Sequence, residues 1–174
     1  MNARWITRTL AVAAMGALAL MLVPAAAEAQ QTASATIAVS ANVAQTCHIE
    51  TLGNLAFGAY DPMVVNATAD LDATASIRIR CTRGSTGVWV GMDNGLNYAA
   101  GRQMISGADL LHYELYLDAT RSILWGNSAG TGLSGLTFAN SGWQDPIIVY
   151  GRVPMAQNAV VGVYADTITA TINY

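Results

Sequence analysis

Two cysteines, Cys47 and Cys81, two histidines, His48 and His112, and a scatter of carboxylates are the side chains of this 174-residue sequence best able to do chemistry. A metal centre could begin at the adjacent Cys47 and His48. No C-x-x-C or H-x-x-x-H spacing completes it, so no metal and no cofactor are expected. A nucleophilic serine would need an elbow of the G-x-S-x-G kind, and none occurs. Asp70 and Asp72 could share one strand face as acid and base, although their Ala/Thr-rich surroundings read as an exposed turn. His112 falls opposite the apolar set of its own strand, the usual place of a solvated histidine. With no base and nucleophile to name together, an enzyme and a small-molecule substrate are not expected. Trp89, Trp125 and Trp143 could form a stacking platform for a carbohydrate, but in a small β-protein tryptophans read better as core and loop anchors.

The cysteines are best read through the compartment the chain reaches. Arg4 and Arg8 precede an uncharged apolar run from Thr9 to Val23, Pro24 ends the run, and Ala27-Glu28-Ala29 offers the small-x-small pattern of a signal-peptidase site. Residues 1–29 are therefore expected to be a signal peptide. A membrane anchor is the rival reading, because the run approaches the ~20 residues a span needs. In an oxidising compartment an even pair of cysteines reads as one disulfide. It would close a loop of about 35 residues, worth on the order of 3–4 kcal/mol in the chain-entropy model.

Cleavage after Ala29 leaves 145 residues, a usual size for one domain with one core. It also leaves six arginines, no lysine and ten acids, a net charge of −4. That balance argues against nucleic acid or an anionic membrane as the main partner.

The elements that must position these residues are strands. Ser76 to Cys81 alternates, with Ile77, Ile79 and Cys81 on one face and Arg78 and Arg80 on the other. Val88 to Met92 is a second strand, ended by the turn Asp93-Asn94-Gly95. Leu111 to Leu117 is a third, with Leu111, Tyr113, Leu115 and Leu117 sharing a face. Ile147–Tyr150, Val160–Tyr164 and Thr167–Tyr174 complete the set, and Asn127–Gly135 reads as a flexible connector. Short strands at this spacing point to an all-β sandwich or barrel of the immunoglobulin-like kind.

Both ends of the mature chain carry unmatched patterns. Gln30 to Gln45 is rich in Ala, Ser and Thr, yet Ala35, Ile37, Val39, Ala41 and Val43 fall on one face of an extended chain. The last run places Ile168, Ala170, Ile172 and Tyr174 on one face and has no successor to pair with. Periodicity alone leaves open whether the first strand folds into its own sheet or pairs with another molecule.

Several pieces in order carry a resemblance. They are Cys47 after the alternating segment, Phe57-Gly58-Ala59-Tyr60-Asp61-Pro62, Ile79-Arg80-Cys81-Thr82, Tyr113-Glu114-Leu115-Tyr116 with Asp118, and Leu124-Trp125-Gly126-Asn127. Val149-Tyr150-Gly151-Arg152-Val153-Pro154 and the stretch Gly162 to Thr171, closing on Tyr174, follow. Together they resemble the spore coat protein U domain family, which includes the structural subunits (pilins) of archaic chaperone–usher pili.

The resemblance implies an incomplete immunoglobulin-like β-sandwich, residues 47–174, completed by donor-strand complementation. Residues 30–46 become the N-terminal donor strand, with Ile37, Val39, Ala41 and Val43 as donor side chains. Ile168, Ala170, Ile172 and Tyr174 mark the C-terminal strand beside the acceptor groove, and Cys47–Cys81 would fasten the first strand to the second. Ala41 is smaller than the bulky residue expected at a donor position. The implied partners are identical or related subunits joined head to tail, a periplasmic chaperone and an outer-membrane usher. The implied destination is the cell surface, as a fimbrium serving adhesion or biofilm formation.

A soluble spore- or cyst-coat protein is the alternative. Sortase-assembled pilins need lysine and a C-terminal membrane tail, and type IV pilins keep the apolar N-terminal helix that the A-x-A site here would remove. A tip adhesin would be expected to carry a second, binding domain.

Overall fold

A computed structural model describes residues 30–174; the expected signal peptide, residues 1–29, lies outside the described residues. Two units divide the chain, residues 1–40 and Ala41–Tyr174. In the first, residues 30–40 are exposed and belong to no ladder. The second is all-β, with strands β1 (Cys47–Thr51), β2 (Leu71–Cys81), β3 (Trp89–Met92), β4 (Arg102–Ser106), β5 (Asp109–Tyr116), β6 (Ile147–Val153) and β7 (Ala170–Asn173).

Every ladder is antiparallel. Among the described residues one sheet has the order β1-β2-β6-β5-β4 and the other pairs β3 with β7. A complete immunoglobulin-type sandwich sets strands A, B, E and D against C, F and G. Here β1, β2, β6 and β5 take the A, B, E and D places, β4 extends that sheet, and β3 and β7 take C and F. Among the described residues no strand takes the G place beside β7, so the domain is an incomplete immunoglobulin-like sandwich.

The alternation read from the sequence decides which faces meet. Ile77, Ile79 and Cys81 of β2 are buried, as are Leu111, Tyr113 and Leu115 of β5 and Val149 and Val153 of β6. Val90 and Met92 of β3 close on them from the other layer, and Phe138 joins the same core. Trp125 is fully buried and donates its indole N–H to the Val90 carbonyl at 2.9 Å.

Cys47 and Cys81 are joined by a disulfide across the first register pair of β1 and β2. Next to it, Thr46 N–H donates to Thr82 Oγ1 at 3.1 Å and Thr82 N–H to the Thr46 carbonyl at 2.9 Å. The chain entering the domain is therefore pinned where β1 begins.

The structure departs from three of these expectations. The Ala/Thr-rich stretch from Asp72 is strand and not an exposed turn, because β2 begins at Leu71 and pairs with β6 from there. Val160–Tyr164 forms no strand: Val161 is 100% and Val163 88% exposed, and the run is irregular up to the single bridge between Ile105 and Ala165. Its β-branched residues wall a groove instead of filling a ladder. The last strand is shorter than Thr167–Tyr174, because residues 165–169 pass from the edge of β4 to the edge of β3 before a regular ladder starts.

Candidate functional site

The backbone of the last segment has one satisfied edge and one open edge. Ala165 exchanges both of its hydrogen bonds with Ile105 of β4, at 2.9 and 3.1 Å. Farther along, Asp93 N–H donates to the Thr169 carbonyl at 3.1 Å, and Thr169 N–H donates to Asp93 Oδ1 at 3.0 Å. Val90 exchanges its two bonds with Leu133, so the ladder between β3 and β7 must run through Trp89–Asn173 and Gly91–Thr171. Odd-numbered residues therefore face β4 and β3. By strand alternation, Asp166, Ile168, Ala170 and Ile172 turn their N–H and C=O groups to the opposite edge. Among the described residues no backbone hydrogen bond to that edge is made. The same four side chains are half-buried, whereas Thr167, Thr169 and Thr171 are exposed.

An apolar groove runs beside this edge. It comprises two adjoining clefts of about 640 and 480 Å³ that share Leu55, Phe57, Met104 and Tyr164. The segment after β1 forms one wall, and residues 159–170 form the other. The floor is the inner face of the large sheet, including Leu71, Ala75, Leu111 and Val153.

Gly151 on the inner face of β6 lets the first wall lie close. A Cβ there would come 2.7 Å from Leu55 Cδ2 and 2.9 Å from Phe57 Cζ. Phe57 then meets Tyr113 edge to face, with ring centroids 6.0 Å apart. Tyr60 holds the far end, donating its hydroxyl to the Pro154 carbonyl at 3.0 Å and accepting from Gln157 N–H at 2.9 Å.

One charged side chain lines the groove. Asp166 accepts from Tyr113 Oη–H at 2.7 Å and from Leu96 N–H at 2.9 Å, which fixes both carboxylate oxygens. Burial and then the hydrogen bond to Asp166 push the Tyr113 hydroxyl well above its ordinary pKa, so it stays a donor. Gly95 makes room for this carboxylate, since its φ of 75° and its closeness to Asp166 both forbid a Cβ.

Arg102, only 4% exposed, ties the layers together behind the groove. It donates to Glu114 at 3.0 Å and to the carbonyls of Asp93, Met92 and Trp125 at 2.9, 3.1 and 2.7 Å.

The other residues considered for chemistry are engaged elsewhere. Asp72 pairs with Arg152 at 2.8 Å and Arg121 at 3.2 Å, while Asp70 pairs with Arg152 at 3.2 Å. The hydrogen bond from Arg152 holds the Asp72 carboxyl below its ordinary pKa, the opposite of what a general acid needs. His112 lies on the outer side of β5 with Nε2 4.0 Å from Glu114 Oε1. His48 is exposed, and its neighbour Cys47 is committed to the disulfide. Trp125 is core, and Trp143 stacks against the guanidinium groups of Arg78 and Arg80, each 4.7 Å from the ring centroid. The three tryptophans form no common platform.

Ile168 and Ala170 line the groove, Ile172 follows on the same open edge, and Tyr174 is 58% exposed. Ile37, Val39 and Val43 are 87, 91 and 79% exposed, and Ala41 is exposed with them. Sequence reasoning missed β4, Arg102 and Asp166. The Asp93-Asn94-Gly95 turn was the available signal for Asp166, because a glycine forced by φ also leaves space for a neighbour.

The model of the Spore Coat Protein U domain matches residues 33–171. "Protein U" of Myxococcus xanthus is 44% identical over 178 residues, covering 94% of this chain and 97% of that protein. A solved complex, the CsuC–CsuE chaperone–tip adhesion subunit pre-assembly complex from archaic chaperone–usher Csu pili of Acinetobacter baumannii, is similar at 18% identity and a TM-score of 0.48. The match covers 76% of this chain and 40% of that one. The chain belongs to the Spore Coat Protein U domain family.

Proposed function

We propose that this protein is a structural pilus subunit that polymerises by donor-strand exchange into a surface fibre. In this reading residues 1–29 direct export, residues 30–46 are lent, and residues 47–174 form the accepting domain. Ile37, Val39, Ala41 and Val43 of one copy enter the groove beside Ile168, Ala170 and Ile172 of the next. The observation that carries the reading is the unpaired edge of the last segment, set beside an apolar groove at the vacant G place.

The physics follows from that edge. Unpaired N–H and C=O groups accept an added strand, with backbone bonds giving affinity and alternate side chains giving selectivity. Fully burying Ile37, Val39 and Val43 stabilises by roughly 1.5–3 kcal/mol each. Donor and acceptor are different surfaces of one chain, so the contact is head to tail, need not close, and grows a filament. Before assembly the open groove calls for a protecting partner, which is the role of a periplasmic chaperone, with an outer-membrane usher making the exchange. Adhesion or biofilm formation is the service such a fibre performs.

Membership in a family named for a spore coat favours one second reading, in which the same contacts build a spore- or cyst-coat layer. Electron microscopy of the extracted polymer separates a filament from a layer.

The test is periplasmic expression of the full chain with its candidate chaperone, followed by gel electrophoresis without heating. A ladder resistant to detergent is expected from the wild type. Val39→Asp should abolish the ladder while its chaperone-bound subunit stays folded, because a carboxylate would have to enter an apolar groove. Wild-type chain that stays soluble and monomeric without a chaperone overturns the proposal, and so does an undiminished ladder from Val39→Asp.

A further inference from the structure

Resting on the strand-lending reading above, we infer that the lent strand is read in a single register, and that Asp166 sets it by accepting only the smallest donor side chain. The register pairs Val43 with Tyr164, Ala41 with Asp166, Val39 with Ile168, Ile37 with Ala170 and Ala35 with Ile172.

Direction comes first. The vacant place is that of strand G, which runs antiparallel to its neighbour F, and every ladder in this domain is antiparallel. Directly opposed residues share a face, so the inward donor residues 35, 37, 39, 41 and 43 must oppose the inward residues 164, 166, 168, 170 and 172. Only frames two residues apart remain possible, since a slip of one would turn the donor's apolar face to solvent.

Asp166 then admits only the frames that set Ala41 or Ala35 on it, and of these only the first lays Val39 and Ile37 along the open edge. Its carboxylate cannot swing clear, because Tyr113 Oη–H and Leu96 N–H hold its two oxygens at 2.7 and 2.9 Å. One frame down, Val39 would lie on it, and one frame up, Val43 would. Either places a branched apolar side chain against a charge that still needs solvent or polar partners. In the inferred frame Ala41 leaves room for water there. The same frame sets Ile37 against Ala170 and Ala35 against Ile172, so large meets small at both positions. It also spans the whole open edge from Asp166 to Ile172. The small residue that looked like a defect in the donor is in this register its key.

Cysteine pairs on the outward face read the frame directly. Ser40 opposes Thr167 in the inferred register. Since the even-numbered residues turn their backbone to the donor, this is a non-hydrogen-bonded pair with Cα atoms ~4.5 Å apart, within disulfide reach. Thr167 is exposed, so the substitution leaves the core untouched. Full-length chains carrying Ser40→Cys with Thr167→Cys are assembled, oxidised, heated and run without reductant.

A covalent ladder at least tenfold stronger is expected from this pair than from Ser40→Cys with Thr169→Cys or Ala38→Cys with Thr167→Cys. A stronger ladder from either shifted pair overturns the register and leaves strand lending intact. An unheated ladder with no covalent product from any pair likewise overturns the register and leaves strand lending intact. No ladder of either kind overturns the reading beneath it. As a separate arm, Ala41→Val should slow assembly at least tenfold; wild-type rates would overturn the role of Asp166.

Discussion

Replacing Cys47 and Cys81 together with alanine tests how the domain survives with an open groove. The bond links residues 34 apart in sequence. Chain entropy alone then gives about 3.8 kcal/mol at 25 °C, lost through the greater freedom of the unfolded chain. Domains of this size unfold with roughly 5–15 kcal/mol, and a domain missing one strand belongs at the low end, so the loss is a large share of the total. With a urea slope of about 2 kcal/mol/M, the midpoint should fall by about 2 M. The assay is urea unfolding of residues 30–174, followed by the fluorescence of buried Trp125. The slope should rise slightly, because an uncrosslinked unfolded chain exposes more surface. A midpoint shift below about 0.5 M at constant slope would refute the entropic argument and place the stability of β1 in its other contacts.

Arg102→Ala should cost about 3–5 kcal/mol in the same titration, because Glu114 and three carbonyls lose a buried cationic partner. Gly151→Ala should lower stability by about 1–3 kcal/mol and slow assembly, since the new Cβ pushes Leu55 and Phe57 out of the groove wall; thermal melts and the unheated ladder report the two effects. Asp72→Asn should destabilise by about 0.5 kcal/mol at pH 7, a small effect because the pair is partly solvated. The folded pKa of Asp72 is depressed, so its contribution is present above the unfolded value near ~3.9 and is lost as pH falls through the folded value. Unfolding curves of wild type and variant should therefore converge well below pH 4.

The strands that bury one face within this domain were legible because their pattern has a local cause. Ile77, Ile79 and Cys81 alternate with two arginines, and Leu111, Tyr113 and Leu115 alternate with polar residues; burial follows in each case. Val160–Tyr164 misled the reading because β-branched residues mark either a ladder or an apolar wall, and composition does not distinguish them. Gln30–Gln45 has the alternation of a strand and no ladder, because period two describes a face and says nothing of the molecule that covers it. β4 escaped notice because Arg102, its first residue, is buried through hydrogen bonds to carbonyls distant in sequence. Asp166 escaped for the same reason, as its partners come from β5 and from the turn after β3.

The disulfide at the first pair of β1 and β2 also decides how tension travels. A pull on residues 30–46 reaches the domain at Cys47 and passes through a covalent bond to Cys81, the last residue of the longest strand. β2 is paired with β6 from Leu71 to Ile77, so a load entering at Cys81 runs down β2 into the middle of the large sheet. If such units are joined as proposed, force would pass along a covalent relay that bypasses the β1–β2 ladder in each, and a reductant would be expected to make the string extensible.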